Sequence, residues 1–344
     1  MGLTTGARFA ESDIRPDYLM VEQARRFEAD VRRLLRHAPD FVTVVCPACE
    51  GSKAVPAFEK LGFSYFSCAD CDTIYVSPRP RPDHLREYYE SSENYRYWAE
   101  HIFPASEPVR RDRIFRPRVE RILEFCARFS VHTDVLIEVG AGFGTFCEEM
   151  ERTGAFREVL AIEPTPDLAK HCRDRGVTVI EKPVEDLCSD DVPAPNVIAS
   201  FETIEHLFRP ADFVQACAGL LPPGGMLVLT CPNGKGFEVE TLGPVSDTVD
   251  AEHLNYFNPR SLARLVEAHG FSPLETLTPG RLDAELVRRK ALTGDYDLDR
   301  SPFLRRVLVD DWERLGDPFQ DFLAANGLSS HMWLVALRNE SEES

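Results

Sequence analysis

The chain has 344 residues, 43% of them hydrophobic, which suffices to close at least one full core and excludes a fibrous or disordered polymer. Its 57 acidic against 39 basic residues leave a formal charge of −18, a balance that repels a phosphate backbone and disfavours nucleic acid as a partner. There is no apolar run of about 18 residues, and the N-terminus MGLTTGARFAESDIRPDY is charged where a signal peptide needs an apolar core, so no membrane partner and a cytoplasmic location are expected.

Residues 1–40 contain YLMVEQARRFEADVRRLLRHA, whose apolar positions recur at three- and four-residue spacing and predict an amphipathic packing helix. Residues 41–80 carry CPAC and CADC, so Cys46, Cys49, Cys68 and Cys71 have the spacing of a zinc ribbon. Four thiolates close a tetrahedral site and leave no position for water, which predicts structural Zn2+ without zinc chemistry. The other six cysteines, scattered through apolar contexts, read as small buried hydrophobes in a reducing compartment. Residues 81–130 read as a helical linker or cap that is rich in aromatics, with Pro117 in the first turn of its last helix. Within it, RRDRIFRPR is a local basic cluster, either a solvated helix face or a clamp for a phosphate or carboxylate.

From Asp134, short β-branched runs alternate with amphipathic helices, which predicts a parallel α/β sheet wrapped on both faces. VLIEVGAGFGTF is a buried strand entering a turn at Gly140, Gly142 and Gly144, where the backbone can pass close to a ligand. Thr145 stands where a dinucleotide fingerprint wants Gly or Ala, so a dinucleotide is disfavoured. Glu138, just before the turn, would repel a pyrophosphate and suits an ammonium group. About twenty residues on, Glu163 is placed to accept both hydroxyls of a ribose. Ribose, adenine and a cationic amino-acid end together describe S-adenosylmethionine.

These segments resemble the class I S-adenosylmethionine-dependent methyltransferases. VLIEVGAGFG resembles their first motif, EKPVEDL their adenine-side segment, and NVIASFETIEHLFRP their fourth motif. LLPPGGMLVLTCPNG and HLNYFNPRSLARLVEAHGF are similar to the segments around their fifth strand. The resemblance implies a Rossmann-like sheet of seven strands, the last antiparallel, and a cofactor site at Glu138, Gly140, Ala141, Gly142, Gly144, Glu163, Pro164, Glu185, Phe201 and Glu202. With TIYVSPRP, the four cysteines also resemble a bacterial subgroup that carries an N-terminal zinc-binding segment and modifies small molecules or saccharides.

On this basis residues 131–278 are the S-adenosylmethionine-binding core, with FSPLETLT as sixth strand; 279–330 are an insertion; and 331–344 hold the seventh strand, HMWLVALR, and a tail. The insertion leaves and re-enters at the cofactor edge, so it is expected to be a lid over the acceptor. His206, His253 and His331 map to that edge as candidate general bases, with His253 preferred for the acidic and aromatic setting DAEHLNYF. Glu202, Glu205 and His206, spaced to share one face of a helical turn, resemble the metal-binding pattern of ubiquinone-pathway O-methyltransferases and are a second metal candidate. The expected activity is methyl transfer to a small polar or anionic acceptor, a sugar, nucleotide-sugar or natural-product intermediate among them. Its alternatives are an RNA methyltransferase and a non-catalytic cofactor-binding or zinc interaction module. Acceptor identity, the atom methylated and oligomeric state are not encoded in any of these motifs.

Overall fold

Two sheets organise the chain in the computed structural model, which describes residues 9–340. The strands run β1 Ala54–Lys60, β2 Phe63–Cys68, β3 Ile74–Val76, β4 Val135–Val139, β5 Glu158–Ile162, β6 Thr178–Ile180, β7 Val197–Phe201, β8 Met226–Pro232, β9 Asn255–Tyr256, β10 Phe271–Leu277 and β11 His331–Arg338. The larger sheet has the order β10-β11-β8-β7-β4-β5-β6. β4 pairs in parallel with β5 and β7, and β11 is antiparallel to both β8 and β10. The last strand therefore lies antiparallel between the fifth and sixth, as the sequence predicts.

In β4 the side chains of Val135, Ile137 and Val139 pack into one core cluster and Leu136 into another. Both faces are covered, which is why these strands are continuous apolar runs and not alternating ones. Strand order reverses between β4 and β7, so a crevice opens beyond the carboxyl ends of those two strands.

The smaller sheet, β1-β2-β3-β9, holds the four cysteines at its turns. Cys46 Sγ lies 3.5 Å from Cys71 Sγ, and Cys49 Sγ lies 3.6 Å from Cys68 Sγ. Sulfurs around a tetrahedral zinc stand about 3.8 Å apart, given Zn–S bonds of about 2.3 Å, whereas a disulfide needs about 2.05 Å. The set fits one closed metal site and no disulfide.

β9 comes from the loop after β8 and pairs with β3, Ile74 opposite Tyr256 and Tyr75 opposite Asn255. Arg79 reinforces this seam from inside: it is fully buried and donates to the carbonyls of Val76, Phe208 and Leu254 and to Asn255 Oδ1. Asn255 in turn donates to the carbonyls of Ile204, Glu205 and Leu207. Burial pulls Arg79 down to about 10, which still leaves it cationic at neutral pH.

The N-terminal helix Asp17–Leu34 packs Val31 and Leu34 against Phe63, Tyr65 and Leu85. Asp30 on the same helix is fully buried and accepts from Ser92 Oγ and from the amides of Glu93 and Asn94, tying down the start of the helix Glu93–Tyr97. A long helix follows as Phe103–Arg110, a π turn at Arg111–Phe115, and Arg116–Phe129. Pro117 cannot donate to the carbonyl of Arg113 and its ring crowds it, so the backbone widens there to an Arg116 N–H to Arg111 C=O bond.

Between β10 and β11 lie the helices Asp283–Thr293, Pro302–Arg305 and Trp312–Ala325. With the π turn Arg306–Asp310 they bury Ala284, Val287, Leu308 and Trp312 against Leu242, which belongs to the segment after β8. No helix of the described residues is long and apolar enough to cross a membrane.

Replacing Arg79 by Met should leave four buried acceptors without their donor and lower the unfolding free energy by at least about 3 kcal/mol in urea titration. Arg79→Lys should recover little of it, because one ammonium cannot span four separated oxygens. A variant as stable as the parent would refute the seam.

Candidate active site

The glycine turn follows β4 directly. Gly140, Gly142 and Gly144 all take positive φ, at 76°, 56° and 70°. A Cβ on Gly140 would stand 2.5 Å from Thr203 Oγ1, so that position admits nothing larger. Gly144 begins the helix Thr145–Thr153.

Glu163, at the end of β5, reaches across to this turn. Its Oε2 accepts the Gly142 amide at 2.8 Å and its Oε1 the Thr165 amide at 2.9 Å. Each oxygen keeps a lone pair. Ala141 is buried beside the turn, and Pro164, after Glu163, is exposed. Glu138 is buried beneath it and accepts from Cys147 Sγ at 3.1 Å. Burial pushes Glu138 up to about 8, against the opposing pull of Cys147 and Arg118. Glu185 lies in the short turn Val184–Asp186 that follows β6, and is exposed. Phe201 ends β7 and packs on Phe146 and Trp333, with the Arg118 guanidinium 4.5 Å over its ring.

A cavity of about 440 Å³ opens beyond β7 and β8. Glu202, His253, His331 and Trp333 line it, together with Arg110, Arg113, Arg118 and Arg121 of the long helix. Its rim has two parts. One is the insertion's Pro279–Leu286 segment. The other is an N-terminal strap, in which Phe9, Glu11, Ile14 and Arg15 line the cavity. Glu11 pairs with Arg15 and with Arg289 of the insertion, joining the two parts. The strap had no sequence signal, because residues 9–15 lack any periodic pattern.

The three candidate histidines occupy two different settings. His331 Nε2 lies 3.0 Å from Glu202 Oε1, an oxygen that also accepts from Thr230 Oγ1 and has Arg118 at 3.7 Å. Burial works to raise Glu202, but His331, Arg118 and Thr230 outweigh it and hold the group below the usual carboxylate range. A carboxylate can only accept, so Nε2 carries the proton and Nδ1 is free to act as an acceptor.

His206 and His253 lie together instead, with ring centroids 4.6 Å apart. His253 Nδ1 meets the Thr248 carbonyl at 2.8 Å, and His206 Nδ1 meets the Glu252 carbonyl at 3.2 Å. Carbonyls also only accept, so in each neutral ring Nδ1 carries the proton, Tyr89 Oη also standing 3.2 Å from His206 Nδ1, and Nε2 is the acceptor. Burial and then His253 pull His206 down to about 3, so it is neutral across the ordinary range. Beside them the carboxylate of Glu205 is fully buried, and neither oxygen has a hydrogen-bond partner among the described residues. Burial and then Glu202 push Glu205 well above its ordinary value. Ligand atoms of Glu205, His206 and His253 all lie within 4.8 Å of one another. Two imidazoles with free Nε2 atoms and one orphaned carboxylate are the donor set of a divalent transition ion.

The expected trio of Glu202, Glu205 and His206 is therefore corrected. Glu202 takes a left-handed backbone, φ 52°, one residue before the short turn Ile204–His206 begins at Thr203, and its carboxylate goes to His331. His253 takes its place beside Glu205 and His206. That exchange depends on a loop nearly fifty residues downstream, which the local spacing could not foresee.

Residues 110–276 match the family model described as a methyltransferase domain. Over 104 residues the chain is 36% identical to the ubiquinone biosynthesis O-methyltransferase of Xanthomonas axonopodis pv. citri (strain 306), covering 28% of this chain and 43% of that protein. It is 38% identical over 113 residues to the enzyme of the same name from Xylella fastidiosa (strain M23), covering 31% and 45%. The chain thus spans less than half the length of these curated relatives. Among solved structures, it aligns with an S-adenosylmethionine-dependent methyltransferase from Clostridium acetobutylicum ATCC 824 at 9% identity and TM-score 0.45, covering 72% of this chain and 99% of that one. It also aligns with phosphoethanolamine N-methyltransferase 2 of Haemonchus contortus, in complex with S-adenosyl-L-methionine, at 14% identity and TM-score 0.43, covering 64% and 53%.

Glu138 yields a signed pH test. Its folded value, about 8, lies above the ordinary carboxylate value of 4.5, so the folded state holds a proton that the unfolded state releases. That contribution is fully present below pH 4.5 and is lost as pH rises through 8. Glu138→Gln, which still accepts from Cys147, should match the parent near pH 4.5 and exceed it by at least about 1 kcal/mol at pH 8 in denaturant melts of ligand-free protein. A difference independent of pH would show that the carboxyl is not held neutral.

Proposed function

We propose, for a chain whose residues 110–276 match a methyltransferase-domain model, that it is an S-adenosylmethionine-dependent methyltransferase that moves the donor's methyl group to a hydroxyl of a small acceptor held in the 440 Å³ cavity. The observation that carries this reading is that the glycine turn after β4 and Glu163 after β5 lie at the same sheet edge as the cavity beyond β7 and β8, whose wall holds a histidine paired with a carboxylate.

Glu163 offers its remaining lone pairs to the two ribose hydroxyls while its amide bonds keep the turn in shape. Gly140, Ala141, Gly142 and Gly144 let the backbone approach the amino-acid end, with Glu138 beneath them. Pro164 and Glu185 flank the ribose and adenine, and Phe201 and Glu202 close the crevice at β7. The bound donor supplies an electrophilic methyl carbon on a positively charged sulfur.

The chain's own residues supply alignment and a base. His331 Nδ1 accepts the acceptor's hydroxyl proton as the oxygen–carbon bond forms and the carbon–sulfur bond breaks, leaving S-adenosylhomocysteine. Glu202 holds the opposite ring nitrogen, fixes the tautomer and steadies the imidazolium. The strap and the insertion, which serves as a lid, exclude water and convert a bimolecular encounter into an aligned one. With a donor already so reactive, that alignment contributes more to the rate than any other effect of the site.

Glu205, His206 and His253 would hold a divalent ion at the cavity wall, where it would supply Lewis acidity toward a hydroxyl. Cys46, Cys49, Cys68 and Cys71 would hold a structural zinc, fixing the ribbon against β9.

Calorimetry with S-adenosylhomocysteine should show binding by the folded chain, and Glu163→Ala should weaken it by at least tenfold, about 1.4 kcal/mol. His331→Gln should keep that affinity yet lower turnover by about 10²-fold or more with any hydroxylated acceptor found by screening. A folded parent that takes up no S-adenosylhomocysteine sinks the reading. Elemental analysis should find one tightly held zinc per chain that Cys68→Ser loses along with thermal stability, and a parent purified without zinc yet equally stable would show that the ribbon needs no metal.

A further inference from the structure

The arginines of the helix Phe103–Phe129 divide by face, and the two faces are treated differently. On the outer face Arg111 is matched by Glu107, Glu148 and Glu149, and Arg116 by Glu149. Arg152 and Arg175 join the same acidic cluster. Every cation there has a carboxylate, as a structural network requires.

On the inner face Arg110, Arg113, Arg118 and Arg121 line the cavity, and Arg113 is paired with Asp112 at 3.5 Å. Arg110 donates to Ser106 Oγ and to the Ile14 carbonyl, and its guanidinium lies 5.3 Å from the Trp98 ring. Arg121 rests 5.3 Å over Trp333. Among the described residues, neither has a carboxylate within 4.0 Å. Arg118 is 14% exposed and stands 3.7 Å from a Glu202 oxygen that His331 and Thr230 already use.

Resting on the methyl-transfer reading above, we infer that the cavity selects acceptors bearing an oxyanion, a carboxylate or a phosphate monoester, which Arg110, Arg118 and Arg121 bind while the acceptor's hydroxyl is left to His331.

The backbone is shaped for this. Eight residues of α-helix turn through about 800° and would set Arg110 and Arg118 about 80° apart; the π turn between them absorbs one extra residue and brings them to within about 20°. The cost of the grouping is visible as well. Burial, then Arg15 and Arg118, pulls Arg110 down to about 9, and burial pulls Arg118 below its ordinary value. Three cations gathered in a desolvated wall with a single shared carboxylate are stabilised by an anion that arrives with the ligand.

Of the described acids that line the cavity, only Glu202 stands within 4.0 Å of Arg110, Arg118 or Arg121, and it is shared with His331 and Thr230. Glu11 is engaged by Arg15 and Arg289, and Asp247 by Arg289 and Lys290. Asp283 accepts from Ser329, Ser330 and Gln320, Glu238 from Ser246 Oγ, and Asp250 from the amides of Glu252 and His253. The aromatic side chains of Phe9, Phe115 and Trp333 line the rest, so a flat apolar body carrying one anionic group fits the lining.

The test uses the full chain with inorganic phosphate, phenyl phosphate, benzoate and the neutral benzamide, at constant ionic strength set by chloride. Phenyl phosphate or benzoate should bind in calorimetry and raise the thermal midpoint, with benzamide at least tenfold weaker. Arg110→Gln and, separately, Arg121→Gln should each cut anion affinity at least tenfold. Arg121 packs on the Trp333 ring, so its variant keeps the test sound should Arg110→Gln fail to fold. A response to both phosphates alone assigns the phosphate monoester, and a response to benzoate alone the carboxylate. Benzamide binding as tightly as benzoate, no anion acting beyond chloride, or variants with parental anion affinity would each overturn the inference. S-adenosylhomocysteine affinity measured on the same variants should be unchanged, and its absence in the parent would instead count against the methyl-transfer reading, not against the anion site.

Discussion

Arg79 gives all its side-chain bonds to oxygens of three separate chain segments: Val76 in the ribbon, Phe208 after β7, and Leu254 with Asn255 after β8. The second and third of these directly follow His206 and His253. A cation this deeply buried tolerates no partial satisfaction, because each lost acceptor leaves a desolvated charge behind. The three segments are consequently fixed to one another within hydrogen-bond tolerance. The ribbon's place in the chemistry follows from that: its sheet continues into β9, and β9 leads out of the loop that presents His253 to the cavity.

The cavity combines demands that a single local motif could not satisfy. Binding an anion needs cations held apart from carboxylates, whereas removing a proton needs a histidine held against one. In the proposed reaction, one face of a helix meets the first and the junction of β7 and β11, where Glu202 meets His331, meets the second. Glu202 adopts a left-handed backbone at this junction, a conformation unfavourable for glutamate that persists because the surrounding bonds to Thr230 and His331 over-determine it.

Access to this space is set by two pieces of chain from opposite ends of the sequence. The insertion is anchored by its own apolar cluster on Leu242, so its first helix, Asp283–Thr293, is rigidly placed. The strap is held by ion pairs, chiefly Glu11 with Arg289, and has little apolar burial. Of the two, the strap is the weaker attachment.

Much of the fold was legible in residues 134–278 and in the strand HMWLVALR, because buried parallel strands and amphipathic helices each leave a short-range periodic signature. The two cysteine knuckles, the glycine turn and Glu163 were legible for the same reason: each is a local geometry with a fixed spacing. RRDRIFRPR announced a basic cluster but not its division, since which arginines face inward depends on a π turn that Pro117 provokes and on the glutamates of a neighbouring helix. The pairing of Glu202 with His331 joins residues 129 apart. The grouping of His253 with Glu205 and His206 requires β9 to be paired and Arg79 to be buried. These arrangements are products of chain crossing, and no local period encodes a contact whose partners are brought together only when the sheets close. By itself the sequence determined the sheet, the thiolate cluster and the glycine turn; tertiary structure decided which carboxylate serves which histidine, because burial and non-local hydrogen bonding assign those partners.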